Sequence, residues 1–335
     1  MRKFNLLILV FLLIGMGFYS CTKNSSKPPK VSLIFDTDFG ADYDDVGAMA
    51  VLQALADSGR VDILATIAST KYKNVAAVLN VFNTYFKRPD IPIGVPTGNA
   101  LTDRDWQGWS DTLIAKYPHS VIKNSDVLDA VELYRKILAV QPDTSVTIVT
   151  IGFLTNLSDL LQSEPDKYSP LSGKELVAQK VKLLVSMAGA FPNGKEFNVY
   201  KDTVSSKYAY ENWPAKIVFS GYEIGERIKT GYTLIHNANI ANSPVKDVFR
   251  ICMPKAKEDS LGRMSWDQTA VLIGVLGTNG FFEFKKGKIH INTNGSNTWT
   301  DDPNGKHSYV VQKMKVQDIT KYIENLMMHQ PLSKE

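Results

Sequence analysis

The stretch Val31-Ser32-Leu33-Ile34-Phe35-Asp36-Thr37-Asp38-Phe39-Gly40-Ala41-Asp42-Tyr43-Asp44-Asp45-Val46-Gly47-Ala48 decides how the rest of the chain is read. Its first five residues form a short, mainly apolar run of strand length, which reads as a buried strand. From Asp44 to Ala56 apolar residues recur at helical spacing, acids occupy the first turn, where the helix dipole favours them, and Gly59 stands just past the end. Strand, acidic connection and helix together make one βα unit.

The unit recurs along the chain. Val61–Ala68, Ile91–Val95, Ser145–Ile151, Val181–Met187 and Ile217–Phe219 read as further strands, and 75–86, 126–140 and a segment from Leu157 read as helices between them. Such alternation specifies a mostly parallel sheet covered by helices. The last third changes character: a helix at Trp266–Leu276, strands at Phe281–Thr293 and His307–Val316 joined by a polar Asn/Gly turn, and a closing helix at 316–328. No internal repeat or low-complexity linker divides the chain. The expectation is an α/β fold: one large domain over residues 31–330, with a mostly parallel, Rossmann-like open sheet flanked by helices and a C-terminal αβ addition. This is favoured over the two domains that a length of 335 residues suggests.

Composition bounds the function classes. Hydrophobic residues at 44 % and charged residues at 21 % fit a chain with a large core and exclude disorder, collagen and coiled coil. The net charge of +4 is diffuse, with no basic block alternating with aromatics, so no nucleic-acid partner is expected. Two cysteines cannot build a disulfide framework, and Cys252, in an apolar stretch, reads as a small buried hydrophobe. At the N-terminus Arg2 and Lys3 precede an apolar run, Leu6 to Phe18, too short to favour a spanning helix over a secretory signal. The run ends at Ser20-Cys21 before the polar Thr22–Pro29, which resembles a bacterial lipoprotein signal. The expectation is a signal peptide at 1–20, a polar tether at 21–30, a lipid on Cys21, and export to the cell envelope with membrane association through that lipid. Removing residues 1–20 takes away two positive charges and no acid, halving the net charge.

The acidic connection carries the chemistry. Asp36, Asp38, Asp42, Asp44 and Asp45 place five carboxylates in ten residues at the carboxyl end of a strand, where open parallel sheets bind ligands. Packed carboxylates raise one another's pKa, so the arrangement is costly without a cation. All the candidate ligands are oxygens, with no His or Cys among them, which favours calcium or magnesium over zinc. Helix-dipole complementation alone explains only Asp44 and Asp45.

This run resembles the N-terminal signature of the inosine-uridine-preferring nucleoside hydrolases, calcium enzymes that cleave the N-glycosidic bond of ribonucleosides. Three later segments agree in order. Thr147-Ile148-Val149-Thr150-Ile151-Gly152-Phe153-Leu154-Thr155-Asn156-Leu157 is similar to the family's strand followed by Gly-x-Leu-Thr-Asn. Met187-Ala188-Gly189-Ala190, followed by Glu196-Phe197-Asn198, resembles its Met-Gly-Gly and Glu-Phe-Asn elements. Ser265-Trp266-Asp267-Gln268-Thr269-Ala270-Val271 resembles the late aspartate segment opening a helix.

The resemblance implies a lipoprotein-type bacterial nucleosidase that releases ribose and free base, with a place in purine or pyrimidine salvage. It assigns Asp38 as a Ca2+ ligand and as the general base that activates the metal-bound water. Asp45, Asp267 and the backbone carbonyl of Ile151 follow as further calcium ligands. Asp44, Glu196, Asn198 and, as a looser match, Asn193 are assigned to the ribose hydroxyls. Homo-oligomers common in the family are expected. The residues support the same chemistry, since a carboxylate beside a cation can take a proton from an attacking water while an oxocarbenium-like charge develops on the sugar.

Two features depart from the pattern. Ala41-Asp42-Tyr43 intervenes where family members commonly have one residue, so Asp42 is placed to share the role of Asp38 or Asp44. Trp266 stands where inosine-uridine enzymes carry a histidine assigned to leaving-group activation. Tryptophan can stack on a base and so line the substrate site, but cannot protonate it at neutral pH. The preferred nucleobase is left open. His307 is a candidate replacement acid, Arg263 a candidate leaving-group contact, and Trp106, Trp109 and Phe153 candidates for an aromatic slot; for each, ordinary packing or a surface role is the commoner alternative. Two other functions compete: a ribonucleoside-binding lipoprotein without turnover, and a haloacid-dehalogenase-like phosphatase using Asp36 and magnesium. The latter gives no reason for Asp44-Asp45 or for Gly40.

Overall fold

The structure, a computed structural model, describes residues 30–332. The expected signal peptide, nearly all of the expected tether and the expected lipid site at Cys21 fall outside the described residues. Ten strands form one sheet: β1 (Val31–Thr37), β2 (Val61–Ala68), β3 (Ile93–Val95), β4 (Leu128–Asp129), β5 (Val146–Thr150), β6 (Val181–Met187), β7 (Lys216–Ser220), and the late strands β10 (Phe282–Ile291), β11 (Asn297–Asp301) and β12 (His307–Gln312). The short strands β8 (Lys229–Thr230) and β9 (Arg263–Met264) pair separately as an antiparallel ribbon. The sheet runs in the order β11-β10-β12-β7-β6-β5-β1-β2-β3-β4. It is parallel from β12 through β4, and only β10 runs against its neighbours.

Period-two alternation feeds two cores from the same strands. Leu33, Phe35, Val149, Val185 and Val218 point to one face, under the helices Asp44–Asp57, Trp266–Leu276 and Val316–Met327. Ile34, Ile148, Leu184, Ile217 and Phe219 point to the other, under Ala130–Val140, Thr155–Gln162 and Thr203–Asn212. The result is the expected single, three-layered α/β domain. Helix Asp44–Asp57 is buried from Asp44 through Leu55, so it behaves as a central core element.

The differences from the sequence reading have local causes. The helix expected at 126–140 starts at Ala130, because Leu128 and Asp129 pair with β3 and the Asp129 carboxylate then caps the helix, accepting from the N–H groups of Val131 and Glu132. The polar turn expected before His307 contains the edge strand β11. The C-terminal αβ segment is no appendage, since β12 joins β7 in parallel and β10 and β11 extend the same sheet.

Candidate active site

The acidic connection sits where the strand order reverses. β2, β3 and β4 lie on one side of β1, and β5, β6 and β7 on the other, so the carboxyl ends of β1 and β5 open a crevice at a topological switch point. Asp36 faces Thr150 in register, and the Ile151 N–H donates to the Asp36 carbonyl at 2.9 Å. Phe39 anchors the loop in the core against Phe82 and Trp109, with ring centroids 5.3 and 6.1 Å away. Burying a side chain of this size contributes about 2 kcal/mol. Gly152 lets the two strand ends close up: a Cβ there would lie 2.6 Å from the Asp38 nitrogen and 2.5 Å from Ser69 Oγ.

Asp44 and Asp45 occupy the first turn of one helix and Asp267 the first turn of another, and each offers an oxygen within 4.8 Å of the others. Asp38, only 4 % exposed, lines the same cleft from the loop. Burial is the largest cause raising the pKa of Asp38, followed by the charges of Asp45, Asp42 and Asp44. Asp267 is raised by burial and then by Asp44, Asp45 and Asp38, and Asp44 by burial and then by Asp42. Asp45 is pushed up to about 7 by burial, although Thr37 donates a hydrogen bond to its Oδ1. Its Oδ2 is buried and has no hydrogen-bond partner. A buried, unpartnered carboxylate oxygen among further carboxylates is a donor set without protons, which suits a hard divalent cation. The Ile151 carbonyl accepts one hydrogen bond, from Asn198 Nδ2 at 3.0 Å, and keeps a second lone pair.

The five carboxylates do not act as one group. Asp36 belongs to the underside of the sheet, where its Oδ2 accepts from Tyr134 at 2.8 Å and from Asn156 at 2.9 Å. Asp42 lines the cleft beside Asp38, Asp44 and Asp45 and forms an ion pair there with Arg263. Arg263 also lies 3.7 Å from Asp44 and 3.6 Å from Asp259. Burial opposes its charge, but the three carboxylates outweigh that and hold its pKa above the ordinary arginine range.

Across the cleft, buried Glu196 caps the helix Phe197–Lys201, accepting from the N–H groups of Gly189, Asn198 and Val199 at 3.1, 2.7 and 3.2 Å. Burial pushes its pKa up to about 7 against those three donors. Asn198 spends its Nδ2 on the carbonyls of Ile151 and Met187, which leaves Oδ1 for the cleft. Asn193 is exposed in the preceding turn and does not line the cleft. Asn297, which sequence reasoning did not single out, holds this wall from β11. Its Oδ1 accepts from the Ala190 N–H and its Nδ2 donates to the Ala190 carbonyl, each at 2.9 Å, and its backbone pairs both ways with Gly194.

The third wall is aromatic. Trp266 lines the cleft, and its Nε1 donates to the Tyr222 carbonyl at 2.8 Å. Tyr222, in the short helix after β7, and Phe197 also line it, and neither was a sequence candidate. Of the other aromatic candidates, Trp109 and Phe153 are fully buried core residues and Trp106 is exposed outside the cleft. His307 is not a cleft residue: it sits buried on β12, where its Nδ1 accepts from the Ile289 N–H at 3.3 Å. Burial and the nearby Lys288 push its pKa down to about 4, so it cannot serve as an acid at neutral pH. The cleft holds a cavity of about 190 Å³.

Comparison with known proteins agrees with this architecture. The sequence matches the inosine-uridine preferring nucleoside hydrolase family over residues 33–321, which removes the phosphatase alternative. No individual curated protein matches the chain. Among solved structures, a plant nucleoside hydrolase superposes with a TM-score of 0.68 at 19 % identity, over 90 % of this chain and 99 % of that one. A purine-preferring ribonucleoside hydrolase from Gardnerella vaginalis gives 0.68 at 16 %, over 89 % and 99 %. An inosine-uridine preferring nucleoside hydrolase from Bacillus anthracis gives 0.65 at 14 %, again over 89 % and 99 %. At such identities these neighbours speak for the fold, while the family match speaks for the chain itself. With its acidic loop at the switch point, its Glu-Phe-Asn wall and its late aspartate converging on one cleft, the chain belongs to the inosine-uridine preferring nucleoside hydrolase family.

Proposed function

We propose that this protein hydrolyses the N-glycosidic bond of ribonucleosides, with calcium held by Asp45, Asp267, Asp38 and the Ile151 carbonyl. The observation that carries this reading is the unpartnered, buried Asp45 Oδ2 within a carboxylate cluster that shares its cleft with Glu196 and Asn198. Calcium, when bound, supplies positive charge that acidifies a neighbouring water and orients sugar hydroxyls. Asp38 then takes the proton from the water attacking the anomeric carbon; its cleft position suits a general base. Asp44, Glu196 and Asn198 hold the ribose hydroxyls, so the sugar is fixed while positive charge grows on its ring. The leaving base lies toward the aromatic wall of Trp266 and Tyr222.

A second reading, binding without turnover, draws on the placement of Trp266 at the aromatic wall and of His307 far from it. One assay separates the two. Purified protein with calcium and a nucleoside panel is expected to release reducing sugar, and Asp38→Ala to lose at least 100-fold in kcat, about the worth of a positioned general base. Tight nucleoside binding with no sugar released by the wild type would establish the second reading instead.

A further inference from the structure

Arg263 puts a fixed positive charge inside the acidic cleft. Its side chain is only 12 % exposed and lines the cleft together with Asp38, Asp44, Asp45 and Asp267. The guanidinium pairs with Asp42 and lies 3.7 Å from Asp44 Oδ1 and 3.6 Å from Asp259 Oδ1. It also sits between two rings, its carbon 5.1 Å from the Tyr43 centroid and 5.0 Å from that of Trp266. Tyr43 is itself buried and donates from its hydroxyl to Asp259. Three carboxylates and two rings thus hold the cation at the edge of the cluster. Two of these partners, Asp42 and Tyr43, come from the connection that is longer here than in the family pattern, so the extra residues and Arg263 form one assembly. Asp44 is where that assembly meets the candidate metal donors. It shares a cluster within 4.8 Å with Asp45 and Asp267, accepts the Asp267 N–H on Oδ2 at 3.3 Å, and turns Oδ1 toward Arg263.

We propose that Arg263 is a built-in counter-cation of this cluster, which weakens calcium binding through its like charge while holding Asp44 in the position from which it meets the sugar. The inference rests on the calcium and ribonucleoside reading and deepens it. Calcium affinity follows the charge count of the site, and a guanidinium beside the donors subtracts one unit from that count. Because the guanidinium is largely buried, salt and water screen it poorly. In the absence of metal the same charge offsets part of the repulsion among the carboxylates. One residue thereby acts on the metal and on the sugar with opposite signs. Removing its charge tightens calcium and loosens the nucleoside, whereas loss of a merely structural residue would weaken both.

The test compares wild type, Arg263→Met, Arg263→Gln and Arg263→Lys as full chains. It reads the calcium dissociation constant by titration of chelator-stripped protein, the unfolding midpoint with and without calcium, and KM and kcat on inosine. Both neutral variants are expected to bind calcium about tenfold more tightly than the wild type or better. Their KM is expected to rise several-fold, and their midpoint in chelator to fall below that of the wild type by a deficit that calcium narrows. Arg263→Lys keeps the charge but not the planar fork, so its calcium constant stays within about twofold of wild type while KM stays raised. The glutamine variant carries the comparison if the methionine variant does not fold. Calcium binding that is unchanged or weaker in a folded neutral variant would overturn the inference and leave the calcium reading standing. If the wild type binds nucleosides without releasing ribose, the hydrolytic reading fails, and nucleoside dissociation constants take the place of KM in deciding the role of Arg263. If the wild type binds no calcium, the calcium reading fails and the inference with it.

Discussion

At the scale of single residues, Asp45 and Asp36 show how one acidic run is divided by geometry. Both are buried carboxylates with pKa values pushed up to about 7, and burial is the main cause for each. Each keeps one buried oxygen without a hydrogen-bond partner, but Asp36 is held between Tyr134 and Asn156 beneath the sheet, whereas Asp45 lies in the cleft among Asp44 and Asp267. The division was partly legible. Asp36 is two residues past Ile34 and so shares its face, a consequence of strand period alone. That Asp42 would be captured by Arg263 was not legible, because 221 residues separate the two and only the fold brings them together. His307 yields a pH prediction. Its unfolded pKa is near 6.5 and its folded pKa is lowered to about 4, so the unfolded chain takes up a proton first as pH falls. Its contribution is therefore complete above about pH 6.5 and is lost progressively down to about pH 4, amounting to about 3 kcal/mol in all. Urea unfolding at pH 7, 5.5 and 4.5 should show the stability gap between wild type and His307→Gln narrowing as pH falls; a gap independent of pH would contradict this assignment.

At the scale of elements, the cleft is assembled from the carboxyl ends of strands and the first turns of the helices that follow them. β1 and its helix deliver Asp38, Asp44 and Asp45, the segment after β6 delivers Glu196 and Asn198, and that after β7 delivers Tyr222. The strands of these units announced themselves as short runs rich in apolar and β-branched residues, although the helices after β6 and β7 did not. Strand β11 did not, since Asn297–Asp301 is a polar edge strand whose pairing is set by the hairpin and not by its own composition. Yet Asn297 on that strand secures Ala190 and Gly194, and through them the turn leading to Glu196. Asn297→Ala removes two partly buried hydrogen bonds, a loss of about 1–3 kcal/mol in the local order of this wall. Steady-state kinetics should show KM for the nucleoside raised several-fold while a parallel titration finds calcium affinity unchanged. Equal loss of metal and substrate binding would show that the strand supports the whole domain and not this wall.

At the scale of the whole molecule, one sheet unites what a length of 335 residues and a change of pattern in the last third would allow to be two bodies. The late strand β12 adds in parallel to β7, and the closing helix Val316–Met327 packs beside the helix that carries Asp44 and Asp45. The overall charge of +4 conveys nothing of the site, where carboxylates gather around one partly buried arginine. The proposed calcium site would make ion binding and turnover one property. The most direct measurement is ribose release from nucleosides, together with bound-calcium content, for wild type and Asp45→Ala before chelation, after chelation, and after calcium is returned. The wild type is expected to lose and regain both quantities together, and Asp45→Ala to show neither at any stage. Full turnover by chelated wild type, or undiminished calcium content in Asp45→Ala, would contradict it.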